Sequence, residues 1–99
     1  MIILFDVGNS NIKIGLSNGK DVKQMIRLKS EIHKTADEYY LVISNFLKGK
    51  NVEGAIISSV VPELTTILTV MCKEYFNIEP LVFGQKLKTG LMIIADNPR

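Results

Sequence analysis

The segment Asp6-Val7-Gly8-Asn9-Ser10-Asn11-Ile12-Lys13 is the strongest local chemical feature of the chain. An acidic residue ends an apolar run, and a glycine-containing turn leads straight into the next apolar stretch. Gly8 has no side chain, so backbone N–H groups there can approach an anion closely. Asn9, Ser10 and Asn11 add neutral donors suited to phosphate oxygens. Asp6, fixed at a strand end, can hold Mg²⁺ through water, because that ion takes few carboxylates and keeps many waters. An ordinary polar hairpin turn accounts for the same residues equally well. A Walker loop does not, because its Gly-Lys-Ser/Thr ending is absent.

The elements around this segment follow from periodicity. Ile2 to Phe5 is a continuous apolar run, expected as a strand buried on both faces. Asn11 to Leu16 alternates, with Ile12, Ile14 and Leu16 on one side, as a half-buried strand does. Ser17-Asn18-Gly19-Lys20 carries an Asn-Gly hairpin signal, and Val22 to Leu28 reads as a third, less regular strand. Thr35 and Glu38 have capping-box spacing, and Ala36, Tyr39, Tyr40, Ile43 and Leu47 recur at helical intervals up to a stop at Gly49. Gly54 to Val61 reads as a strand. Pro62 opens a second helix with Leu64, Ile67, Leu68, Met71 and Tyr75 on its apolar side. Leu81 to Phe83 is a short strand, and Leu91 to Ile94 is a candidate for another. The order βββαβαβ predicts an α/β domain, a mixed sheet with helices on its faces.

Other reactive residue types have structural explanations. Asp37 and Glu38 lie in a helix's first turn, where acids complement the dipole. Ser58 and Ser59 end a strand, and form a second-ranked candidate ligand site. His33 sits in a charged loop without a His or Cys companion for a metal. Tyr39, Tyr40 and Tyr75 are expected in core or interface, and Cys72 packed within a helix.

Ninety-nine residues and a 46% hydrophobic composition suit one small soluble domain. No apolar run is long enough for a membrane helix. A net charge of +2, with the basic residues scattered, gives no reason to expect nucleic acid or an anionic membrane as partner. The single cysteine fits a reducing compartment, so a cytoplasmic location is expected. The apolar start breaks at Asp6 with no basic segment before it, so no secretory leader is expected.

Asp6–Lys13 resembles the first phosphate motif of the type III pantothenate kinases, members of the actin-like sugar-kinase superfamily. Four more segments resemble the same family in the same order: Thr35–Tyr39, Ile57–Pro62, Lys88–Leu91 and Asp96–Arg99. The resemblance runs over residues 1–99 and matches the N-terminal part of the family's sequence. It implies a ribonuclease-H-like, actin-like ATPase domain, and an ATP-dependent kinase that phosphorylates pantothenate in the first step of coenzyme A synthesis. It also implies a homodimer of two-domain subunits, with Mg²⁺ and a monovalent cation, K⁺ or NH₄⁺, assisting. Carried over position by position, Asp6, Gly8, Asn9, Ser10, Asn11 and Lys13 would line the phosphate and Mg²⁺ site. Thr89, Gly90, Asp96, Asn97, Pro98 and Arg99 would lie toward pantothenate.

The family's general-base Asp belongs to a Gly-x-Asp-Arg segment that comes after the stretch matched by Asp96–Arg99. The family's cation-binding Asp and second domain have no counterpart in these residues either, and Ala95 stands where many members have Tyr. A single truncated N-terminal domain, inactive alone, is therefore expected. The competing class is a non-catalytic nucleotide-binding, dimerisation or regulatory module. Ribonuclease-H-like nucleases share the strand order, but they need a second acid where the fourth strand offers Ser58 and Ser59.

Overall fold

Alternation of side chains across the first two strands sets the architecture. The computed structural model describes residues 1–84. Strand β1 (Ile2–Val7) pairs antiparallel with β2 (Asn11–Ser17), which pairs antiparallel with β3 (Val22–Lys29). Helix α1 (Ala36–Leu47) carries the chain over to β4 (Gly54–Ser59), which lies parallel to β1 on its other side. Helix α2 (Pro62–Met71) then leads to β5 (Leu81–Phe83), parallel to β4. The sheet is mixed and five-stranded, in the order β3-β2-β1-β4-β5. The expected α/β class is the class found.

One face of the sheet holds the main core. Ile3, Phe5 and Val7 of β1, Ile12, Ile14 and Leu16 of β2, and Ala55 and Ile57 of β4 are buried there. They meet Tyr39, Ile43 and Leu47 of α1 and Leu64, Leu68 and Met71 of α2. Both helices thus cover the same face, which corrects the expectation of helices on its faces. On the other face Leu4 is buried by strand neighbours alone: Ile2, Val22, Met25 and Ile56. That explains why β1 reads as apolar on both sides without a second helical layer.

The helix ends obey local chemistry. Thr35 Oγ1 accepts from Glu38 N–H at 3.2 Å, and Glu38 Oε1 accepts from Thr35 N–H at 2.8 Å, completing the capping box. The reciprocal bonds with Thr35 hold the Glu38 carboxyl below its ordinary range. Helix α1 stops through two left-handed residues, Lys48 at φ 51° and Gly49 at φ 80°. Pro62 occupies the first turn of α2, as expected.

Two boundaries differ from the sequence reading. Strand β4 ends at Ser59 rather than Val61. Ser59 Oγ accepts from Val61 N–H and donates to Val61 C=O, both at 3.0 Å, turning the chain so that Val61 caps α2. Helix α2 ends at Met71, and the chain continues as a π-helical turn, Cys72–Phe76. The wider turn changes the facing of Tyr75, which leaves the core and stacks on Tyr40 with ring centroids 3.8 Å apart. Its hydroxyl donates to Asp37 Oδ1. Among the described residues no helix is long and apolar enough to cross a membrane. The candidate strand Leu91–Ile94 lies outside the described residues.

Candidate phosphate site

Asp6 lies inside β1, one residue before its end, rather than terminating the strand. The register puts it opposite Lys13 of β2 on one side and Ser58 of β4 on the other. Paired residues share a face, and alternation puts these three on the face opposite the helices. Asp6 and Lys13 are half-buried, and Ser58 is buried. Ser58 therefore joins the candidate site beside Asp6, whereas the Ser59 hydroxyl is committed to its bonds with Val61.

The link between β1 and β2 is built from backbone contacts. Gly8 N–H donates to Asn11 C=O at 2.9 Å and closes the turn. Two carbonyls of the turn are then held by one residue from the end of β3. Ser30 Oγ donates to Gly8 C=O at 2.7 Å, and Ser30 N–H donates to Ser10 C=O at 2.9 Å. Every peptide is trans, so N–H points opposite to the C=O of its own unit. Anchoring the Gly8 and Ser10 carbonyls on Ser30 therefore directs the N–H groups of Asn9 and Asn11 away from it. Among the described residues nothing accepts from the N–H groups of Asn9 and Ser10, and the side chains of Asn9, Ser10 and Asn11 are exposed. The arrangement is a set of fixed, unspent donors, which is what an anion needs. A Cβ added at Gly8 would stand 3.4 Å from Asn11 C=O, so a branched side chain would crowd the turn.

Ser30 is itself braced. The residue after it, Glu31, donates its N–H to Tyr39 Oη at 3.0 Å and accepts from the same hydroxyl through its C=O at 3.1 Å. Tyr39 is fully buried, so the core of α1 is tied to the loop that grips the turn. Sequence reading missed Ser30 because it lies 22 residues from Gly8, with no local motif around it.

The electrostatics favour an anion at this end of the sheet. Val60 N–H donates to Val7 C=O at 3.2 Å, which keeps the start of α2 level with the turn. The positive end of a helix dipole stands there. Asp6 is the only acid in the described strands of this face. No group of three or more His, Cys, Asp and Glu residues that could hold a metal occurs among the described residues. One carboxylate beside a phosphate cradle suits Mg²⁺ carried in with phosphate and water, rather than an ion caged by protein.

The remaining candidates keep their structural roles. Burial pushes the Cys72 thiol up to about 12, away from thiolate chemistry. His33 is exposed in the loop before α1. A cavity of about 320 Å³, lined by Tyr40, Tyr75, Lys50 and Asn51 among others, does not include the turn. Asn51 binds the amino group of Met1 at the opposite end of β1. Thr89, Gly90, Ala95, Asp96, Asn97, Pro98 and Arg99 lie outside the described residues.

Comparison with known proteins agrees with this geometry. The family model for type III pantothenate kinase matches residues 2–99. A curated type III pantothenate kinase from Acholeplasma laidlawii (strain PG-8A) is 43% identical over all 99 residues of this chain. The chain spans 40% of that relative's length. With its family match running from the first strand through the last residue, the chain belongs to the type III pantothenate kinase family.

Proposed function

We propose that these residues supply the phosphate-binding part of an ATP-dependent pantothenate kinase acting in coenzyme A synthesis. The observation that carries this reading is the Gly8–Asn11 turn, with its carbonyls anchored on Ser30 and its donors exposed beside Asp6. Phosphoryl transfer asks the protein mainly for positioning and charge stabilisation. The N–H groups of Asn9 and Ser10 and the side chains of Asn9, Ser10 and Asn11 hold phosphate oxygens. Lys13 offsets their negative charge. Asp6 orients Mg²⁺ through its water shell, and the ion when bound neutralises charge on the phosphates. A monovalent cation, K⁺ or NH₄⁺, belongs to the same reading, with its ligands beyond the residues described.

Thr89, Gly90 and Asp96–Arg99 face pantothenate in this reading, within an actin-like domain that assembles as a cytoplasmic homodimer. The general base lies after the Asp96–Arg99 stretch in the family's order, so residues 1–99 alone bind nucleotide but transfer no phosphoryl group. Calorimetric titration of the chain with MgATP tests this. Binding that is lost in Gly8→Val and weakened in Asp6→Asn supports it. Absence of nucleotide binding by the unmodified chain contradicts it, and so does phosphorylation of pantothenate by residues 1–99 above an Asp6→Asn control.

A second reading, a non-catalytic dimerisation module, draws on exposed apolar residues. Leu41 on α1 is 69% exposed and Leu81 on β5 is 60% exposed. Tight association without any affinity for nucleotide would favour it.

A further inference from the structure

The register of the first three strands builds a cationic patch that the phosphate turn alone does not explain. Lys13 of β2 stands opposite Arg27 of β3, and Asn11 stands opposite Lys29. Alternation puts Arg27 and Lys29 on the same face as Asp6 and Lys13. The row across the sheet reads Arg27, Lys13, Asp6, Ser58, with Lys29 and Asn11 one step nearer the turn. Directly opposed residues have Cβ atoms about 5 Å apart, and like charges so placed destabilise a sheet. Lys13 and Arg27 are such a pair, and Asp6 is the only acid in the described strands of this face.

Solvated charge on an edge strand is a common guard against unwanted pairing, and β3 is an edge strand. That role does not explain the segregation seen here. On this face the cations occupy only the end next to the turn, while the far end is apolar, with Ile2, Leu4, Met25 and Ile56 packed together. Repulsion concentrated beside a donor-rich turn is relieved by a polyanion lying across both.

From this we infer that Arg27 and Lys29 extend the phosphate site onto β3, where they bind the phosphate chain of a nucleoside triphosphate together with Lys13. The inference deepens the proposed function and rests on it for the nucleoside. Its own content is that a triphosphate is gripped from strand β3 as well as from the turn.

The test titrates the chain with inorganic tripolyphosphate and with MgATP, comparing Arg27→Gln, Arg27→Gln/Lys29→Gln and Gly8→Val. For Arg27→Gln, tripolyphosphate affinity is expected to fall about fivefold to tenfold, with a shallower dependence on salt. Thermal stability should hold or rise, because an opposed like-charge pair is gone. A general loss of structure would instead lower both. Unchanged affinity for both ligands in the double variant, with Gly8→Val still weakening MgATP, overturns the inference and leaves the proposed function standing. Weakened tripolyphosphate binding in Arg27→Gln, with Gly8→Val leaving MgATP untouched, supports the inference and overturns the proposed function. Failure of the unmodified chain to bind either ligand overturns both.

Discussion

The hydroxyl of Ser30 donates to the carbonyl of Gly8 at 2.7 Å, across 22 residues of chain. With the Ser30 N–H on Ser10, that bond orients two peptide units of the turn and fixes where their neighbours' donors point. A phosphate cradle of backbone groups works only if those groups are held before the ligand arrives. Removing the hydroxyl in Ser30→Ala should cost about 1 kcal/mol of stability. It should also weaken MgATP binding about fivefold or more, because the turn then samples other orientations. Ser30→Thr keeps the donor and should recover most of the affinity. Denaturation curves and calorimetry on the two variants separate the effects, and full MgATP affinity in Ser30→Ala would contradict a positioning role.

Tyr39 carries the same argument one step inward. Its hydroxyl serves both the N–H and the C=O of Glu31. Tyr39→Phe keeps the buried ring and strands those two backbone groups, at an expected cost of about 1–3 kcal/mol. Hydrogen exchange should speed up at Ser30 and Glu31 while the centre of α1 stays protected. Uniform loss of protection across the chain would mean that Tyr39 only fills the core.

Much of this was legible in the sequence, for identifiable reasons. Thr35 with Glu38, and Pro62 at the start of α2, are local chemistry, and both act as read. The Asp6–Lys13 segment was found because its residue types are dense in a short stretch. Ser30, Arg27 and Lys29 were not found, because they reach the site only through strand register. The single-sided placement of the helices was hidden by Leu4, whose burial under Ile2, Val22, Met25 and Ile56 imitates a second covering layer. Tyr75 fitted the spacing of α2, but the π-helical turn after Met71 moved it off that face.

Alkaline pH should destabilise the fold. Burial raises the Cys72 thiol to about 12, and the bond to Asp37 raises the Tyr75 hydroxyl to about 12. Both groups hold their protons more tightly when folded, so their contribution is complete below their ordinary values of 9.0 and 10.0. It is lost as pH climbs from there toward 12. Thermal melts taken at rising pH should show midpoints falling from pH 9 upward. Cys72→Ala should flatten that slope even though its cavity lowers the whole curve. An identical slope in the variant would remove Cys72 from the explanation.

The exposed apolar residues predict association. Leu41, Leu81 and Val82 are 69%, 60% and 46% exposed. Sedimentation of the chain at high concentration should give a dimer or larger species, and Leu81→Lys on the β5 edge should shift it toward monomer. A strictly monomeric chain at every concentration would rule out the homodimer in this form.

The central claim is that the turn between β1 and β2 grips phosphate. Amide resonances followed by ¹H–¹⁵N NMR during an MgATP titration test it residue by residue. The largest, saturable shifts should fall on Gly8, Asn9, Ser10 and Asn11, with Lys13 and Ser30 next, and should vanish in Gly8→Val. Saturable shifts confined to other parts of the sheet or helices, or none at all, would contradict it.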